Sequence, residues 1–178
     1  MKQLVIALYM LMLVTILMVF PLLLQNCVWP DKPNDIPDTQ YRPVFMSRAD
    51  LETSVKMEAA RVMNESGKIY LYGDVLLINE PLKGVHMYNN TDPRNPVNIG
   101  FIAVPGSHDM ALKYNTLYVD NAVDLVAITF VPNTTNIQNI TRLRNKFREP
   151  TPPDLNIIPE IFNKPSQRGD SIIINWIK

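Results

Sequence analysis

The chain has 178 residues, with 17 Lys and Arg balanced by 17 Asp and Glu, and a single cysteine. No broad basic field is available to hold nucleic acid phosphates, and a lone cysteine excludes an intrachain disulfide. Fifteen prolines against six glycines point to extended segments and stiff loops with little long helix.

Lys2 precedes an uncharged apolar run from Leu4 to Leu24, and Gln25-Asn26-Cys27 follows it. A helix of that length can cross a hydrocarbon core of about 30 Å. Two readings compete. In the leading one, residues 1–26 are a cleaved export signal and Cys27 becomes the acylated first residue of the mature chain. In the other, the run stays in place as an uncleaved anchor. Length favours the anchor, because an ordinary signal carries about 7–15 apolar residues. Pro21 and the cysteine just beyond the run favour the signal, although Gln25-Asn26 fits poorly where a lipidated cysteine prefers small neighbours. The plainest alternative makes Cys27 an inert thiol. Both membrane readings put residues 28–178 outside the cytoplasm, with 16 basic and 17 acidic side chains left once Lys2 is removed. That is one domain's worth of chain.

Residues 27–45 are proline-rich and aperiodic, the composition of a spacer. Residues 46–147 hold a helix and a run of strands. The helix is predicted over Ser47–Met63, capped by Ser47 with Asp50, with Leu51, Val55, Ala59 and Val62 as a stripe facing the core. From Lys68 the pattern changes to short apolar runs with period two. Strands are expected around Ile69–Tyr72, Val75–Ile78, Val85–Tyr88, Ile99–Val104, Ala111–Lys113, Thr116–Val119 and Leu125–Ile128. Gly73-Asp74 and Tyr114-Asn115 supply tight turns. Residues 148–178 form a tail, with coil from Pro150 to Gln167 and a last strand over Ser171–Ile177 placed to close a sheet edge.

The strands repeat. Leu76 and Ile78 match Leu117 and Val119 at an offset of 41, and Val85–Tyr88 match Leu125–Ile128 at 40. Val97 follows Tyr88 by nine residues, as Ile137 follows Ile128. A period near 40–45 with several strands per unit is the spacing of a propeller blade. The fold class expected is therefore mainly β. It comprises two propeller-blade-like antiparallel units, an incomplete propeller, preceded by one short helix and the N-terminal signal or anchor helix. A closed propeller needs about four blades, so two such units leave edges and a face that something else must cover.

Tyr41-Arg42-Pro43-Val44-Phe45-Met46-Ser47-Arg48, Gly67-Lys68-Ile69-Tyr70, Lys83-Gly84-Val85-His86, Asp92-Pro93-Arg94-Asn95-Pro96-Val97 and Val104-Pro105-Gly106 together resemble the LVIVD-repeat family. These are secreted, propeller-like bacterial proteins, including lipoproteins of Bacteroidetes. The namesake strand corresponds to Val85–Tyr88 and again to Leu125–Ile128. The likeness runs from about Tyr41 to Phe147, with a continuation through Pro150-Thr151-Pro152-Pro153 to Trp176. It departs where the second unit carries Pro132-Asn133-Thr134-Thr135-Asn136 in place of the Asp-Pro turn, and where family members carry more repeats. The resemblance implies an envelope or surface location, with the outer membrane as the expected site, and a β architecture. It implies no reaction.

Candidate ligands gather in one loop pair. His108 and Asp109 follow Pro105-Gly106-Ser107, and Asp120 and Asp124 lie further along the same unit. They form the tentative ligand loop, although no spacing among them matches a Ca²⁺ or Zn²⁺ loop and solvated turn residues are the simpler reading. No metal, cofactor or catalytic residue is assigned. His86 is expected as a half-buried strand residue, Glu80 as a surface partner of Lys83, and Tyr70, Tyr72, Tyr118 and Trp176 as core or sheet-face aromatics. Four Asn-x-Ser/Thr triplets begin at Asn64, Asn89, Asn133 and Asn139. They carry no weight in a bacterial chain.

The function expected is a membrane-held, non-enzymatic binding or structural module. Its contacts would be the membrane, through lipid on Cys27 or residues 4–24, and an envelope protein or another copy through the sheet edges. Two alternatives stand beside it: a truncated relic of a longer propeller, and a carbohydrate-binding or hydrolytic protein using the loops at one end of the blades.

Overall fold

In a computed structural model the described residues are Gln3, Ile6, 9–14, 39–163 and 165–178. Residues 1–35 and 36–178 are separate compact units. In the first, Gln3, Ile6 and residues 9–14 are helical, and Tyr9 to Val14 expose their side chains. Among the described residues no helix is long and apolar enough to cross a membrane. Most of the Leu4–Leu24 run, Cys27 and the spacer up to residue 38 lie outside the described residues.

The second unit begins with β1 (Arg42–Met46), α1 (Arg48–Thr53) and β2 (Lys56–Glu58). Two antiparallel meanders follow. The first consists of β3 (Ile69–Tyr72), β4 (Val75–Glu80), β5 (Gly84–Asn89) and β6 (Val97–Ala103), with β2 added outside β6. The second consists of β7 (Met110–Lys113), β8 (Thr116–Asn121), β9 (Asp124–Phe130) and β10 (Ile137–Leu143). The repeat is thus carried by the backbone: Ile69 to Met110 and Val75 to Thr116 are both steps of 41 residues between strand starts. A 3-10 turn (Glu160–Phe162), a one-turn helix α2 (Pro165–Arg168) and β11 (Ile172–Ile177) complete the chain.

Turn chemistry fixes the meanders locally. Gly73 joins β3 to β4 with φ +57°, a left-handed conformation that costs glycine little. Tyr114 occupies the matching place before β8 at φ 54°. There the hairpin is held from outside, since Asn115 and Phe130 exchange two hydrogen bonds of 2.8 Å. Gly84 opens β5 at φ +142°, where an added Cβ would lie 2.1 Å from the Ile102 carbonyl oxygen, so no side chain fits.

Each meander has two faces, and cross-strand rows define them. In the first, Ile69, Ile78, His86 and Phe101 form one row and Leu71, Leu76 and Tyr88 the next. In the second, Met110, Val119 and Val126 form the matching row and Leu112, Leu117 and Ile128 the next. We call this the leading face and its opposite the trailing face. The main core joins the trailing face of the first meander to the leading face of the second. Leu77, Val85, Met87 and Ile102 pack with Met110, Leu117, Val119, Val126, Ile128 and Phe130, and Tyr70 and Tyr72 pack at its edge. The Tyr72 and Phe130 rings sit 5.3 Å apart. At about 25 cal/mol per Å² of apolar surface, this shared core is the principal stabilising contact.

Several expectations need correction. The helix stops at Thr53, not Met63. The Ser47 cap is present, with its hydroxyl 3.1 Å from the Asp50 amide, but Thr53, Ser54 and Val55 are poor helix formers. The Ser54 hydroxyl bonds back to the Leu51 carbonyl at 2.8 Å, Val55 enters the core, and Lys56–Glu58 pairs with β6. Ala59 is exposed and Val62 is 81% exposed, so the helical stripe does not extend to them. The spacer also ends early, because residues 42–46 form a strand. The last strand closes no meander edge. It pairs antiparallel with β1 as a separate sheet, which packs with Leu51 of α1 onto Ala122 and Val123 of the second meander. Trp176 is a core aromatic: it is 7% exposed, donates to the Pro150 carbonyl at 2.8 Å and meets Phe162 edge-on.

Candidate functional site

The predicted ligand loop is divided in the structure. His108, Asp109 and Asp120 meet where the chain enters the second meander. Asp120 accepts from the backbone N–H groups of His108 (2.9 Å) and Asp109 (2.7 Å), and its Oδ2 lies 3.2 Å from His108 Nδ1. The hydrogen bond to Asp120 raises the His108 pKa above its usual value, against partial burial. Asp109 turns to Lys68, 2.7 Å away across the junction of the meanders. That ammonium holds the Asp109 carboxyl below the ordinary aspartate value. Asp124 does not join them. No group of three or more His, Cys, Asp or Glu side chains among the described residues is arranged to hold a metal ion.

Asp124 instead anchors a buried ionic centre. Its fully buried carboxylate accepts from Arg48 Nη1 at 2.7 Å, Arg142 Nη1 at 2.9 Å and the Asn145 amide at 2.9 Å. Arg142 also donates to Asn121 Oδ1 at 2.7 Å and to the Leu51 carbonyl at 2.9 Å. Burial pushes the Asp124 carboxyl up. The Asn145 amide and the two guanidiniums outweigh it and hold the group below the usual aspartate value. One carboxylate thereby ties α1, the β8–β9 hairpin and β10 together.

A second buried centre stands in the first meander, at the same end. Glu80, expected at the surface, is fully buried. It accepts from Lys83 Nζ at 2.7 Å and from the Asn64 amide at 3.2 Å, and its Oε2 lies 2.7 Å from His86 Nε2. Burial raises the Glu80 pKa, and the bonds from Lys83, His86 and Asn64 outweigh that and lower it to about 2. His86, expected half-buried, is fully buried and meets the Phe101 ring edge-on at 4.7 Å. Arg61 stacks over that ring, its guanidinium carbon 3.5 Å from the centroid. Arg48, Arg61, Asn64 and Arg142 carry no sequence signal of this role. The carboxylates they bind lie 16 to 76 residues away.

The opposite end of the meanders carries a cleft of about 490 Å³. Its walls come from the β3–β4 turn (Tyr72, Asp74), the exit of β5 (Asn89, Thr91) and the β9–β10 loop (Asn133 to Asn136). Amides and hydroxyls therefore face it from both meanders. The Tyr72 hydroxyl at its wall is buried with no hydrogen-bond partner among the described residues. Composition could have flagged this cleft, because the Asn-x-Thr triplets at Asn89 and Asn133 border it. No family model, curated protein or solved structure matches the chain.

Proposed function

We propose that this chain is a non-enzymatic binding module of the bacterial cell envelope, built from two propeller-blade-like repeats and held at a membrane by its first residues. The observation that carries the binding part is the cleft between the repeats. Hydrogen-bonding side chains from three separate segments converge there, while the buried carboxylates Glu80 and Asp124 are saturated by internal partners that hold the scaffold. A carboxylate held near pH 2 by three partners is a poor general base at neutral pH. The resemblance to LVIVD repeats is supported by the place of the two namesake stretches, which form the third strand of each meander as β5 and β9. Anchoring by a lipid on Cys27 rests on the sequence layout alone.

Two measurements test the reading. Intact mass of the membrane-extracted chain, with Cys27→Ser alongside, should show a mature protein starting at Cys27 plus acyl chains. A mass retaining residues 1–26 in both proteins would replace the lipid with a transmembrane anchor. For binding, a photo-crosslinking residue at Thr91 or Thr134 of the full chain in its own cells should give one shared, discrete adduct. The same residue at exposed Lys146 should not. Identical background from all three positions would remove the cleft as the binding site.

A further inference from the structure

The internal repeat shows what fits over an apolar face left open among the described residues. In the second meander Met110 and Leu112 lie on the leading face and pack against the first meander, with Met110 only 2% exposed. Their equivalents 41 residues earlier, Ile69 and Leu71, are 58% and 61% exposed. The inner part of the same face is covered differently. Arg61 stacks on Phe101 and Asn64 binds Glu80, so residues 61–64 shield the His86–Phe101 end of the row and leave Ile69 and Leu71 of β3 exposed. The second meander has the converse exposure: Ala111 and Tyr118 are exposed on its trailing face, where Tyr70 and Leu77 of the first meander make the core contact. Among the described residues the molecule thus leaves an open leading face at β3 and a trailing face that is apolar around Ala111, Tyr118 and Leu125 and polar at Lys113, Thr116 and Thr129, and it contains a worked example of how a trailing and a leading face fit together.

We infer that a second copy of this chain covers the Ile69–Leu71 face, packing its own Ala111–Tyr118 face there head to tail. Two copies joined twice in this way form a closed ring of four meanders around a two-fold axis. That is the smallest number, about four, at which four-stranded blades close. The inference rests on the blade-like reading given above. It differs from association through strand edges, because the contact is face on face and continues the existing core. Ala111 is small and Tyr118 presents a flat ring, so the trailing face permits the close approach that two leucine-sized side chains need.

Analytical ultracentrifugation of the full chain in density-matched detergent tests this, with three variants. The wild type should sediment as a dimer. Leu71→Asp and Ile69→Asp on the leading face, and Ala111→Arg on the trailing face, should each weaken the dimer at least about tenfold, with the wild-type far-ultraviolet circular dichroism kept because all three sites are exposed in the single chain, and with a melting temperature lowered only by the lost association. An equimolar mixture of Leu71→Asp with Ala111→Arg should regain a dimer, since one sound interface survives in the mixed pair. A dimer that survives Ala111→Arg alone would mean the leading face pairs with itself, and head-to-tail closure would be wrong. A wild type that stays monomeric would overturn the inference entirely, including the case in which the chain's own amino-terminal segment covers the face. The crosslinks at Thr91 and Thr134 report independently on the cleft, so either idea can fail alone.

Discussion

Glu80 and Asp124 stand at the same end of the two meanders, one closing β4 and the other opening β9, and they do the same task with different partners. Asp124 is held by two guanidiniums and an amide, and it fastens α1 and the chain beyond β10. Glu80 is held by an ammonium, an imidazole and an amide, and it fastens residues 61–64 across the open face of its sheet. The strands repeat, but the segments attached to them do not. The hairpin mouth is where each meander binds what lies outside the repeat, and a buried carboxylate suits that task because it accepts from several donors at once. Arginine partners make a rigid, forked grip. Lysine makes a looser one that reaches solvent, with Lys83 47% exposed, while His86 stays buried beneath it.

The comparison can be broken by mutation. Asp124→Ala should be the most damaging change, costing about 3–5 kcal/mol by urea unfolding, because it strands two guanidiniums that are mostly out of water. A loss below about 1 kcal/mol would show that Arg48 and Arg142 find water instead. Leu117→Ala should cost about 3 kcal/mol as a cavity in the shared core, and Leu76→Ala, its equivalent on the open face, about 1. Equal costs would mean that the two leading faces are equally covered. Glu80→Gln should cost about 2 kcal/mol and speed hydrogen exchange at the Asn64 amide without touching Asn145.

Proton linkage sharpens the same contrast. Glu80 is shifted down from 4.5 to about 2 in the folded chain, so its contribution is complete above the ordinary carboxylate range and drains away as pH falls toward 2. Asp124 is shifted in the same direction. Stability should therefore fall on acidification, and Glu80→Gln should flatten that limb when unfolding is followed against pH. The smallest effect belongs to His108, whose raised pKa contributes stability below its ordinary value of 6.5 and loses it as pH rises through the folded value. A ring-proton titration by NMR should show that shift vanish in Asp120→Asn, with little change in melting temperature because the His108 side chain is 52% exposed.

What was legible in the sequence was the period. Alternation and turn residues are local, and they placed eight of the eleven strands and the Gly73 and Tyr114 turns within a residue or two, but not β1, β2 or β10. Strand pairing then follows from short connections. The ionic centres were not legible, because each is assembled from elements far apart in the chain. Glu80 and Lys83 are three residues apart and look like a solvated pair. Only the return of Arg61 and Asn64 over the sheet removes the carboxylate from water. Those two residues were hidden further because the stripe Leu51, Val55, Ala59 and Val62 matches helical spacing. The first two are buried for tertiary reasons that do not extend past Val55. The residues of the ligand loop are divided for a related reason: His108, Asp109 and Asp120 are neighbours, but Asp124 begins the next strand and faces two arginines.

The pairing of β1 with β11 sets an order of events in the life of the molecule. Val44 lies opposite Asn175 and Met46 opposite Ile172, so the first strand of the described domain waits for nearly the last residues to be made. Both meanders can form while the carboxyl-terminal stretch is still emerging, since their contacts are between neighbours in the chain. The latch cannot. A chain threaded amino terminus first, from a ribosome or across a membrane, would therefore carry two finished sheets and one unpaired strand until the end. Loss of the last half-dozen residues would leave that strand open as a template for any passing chain.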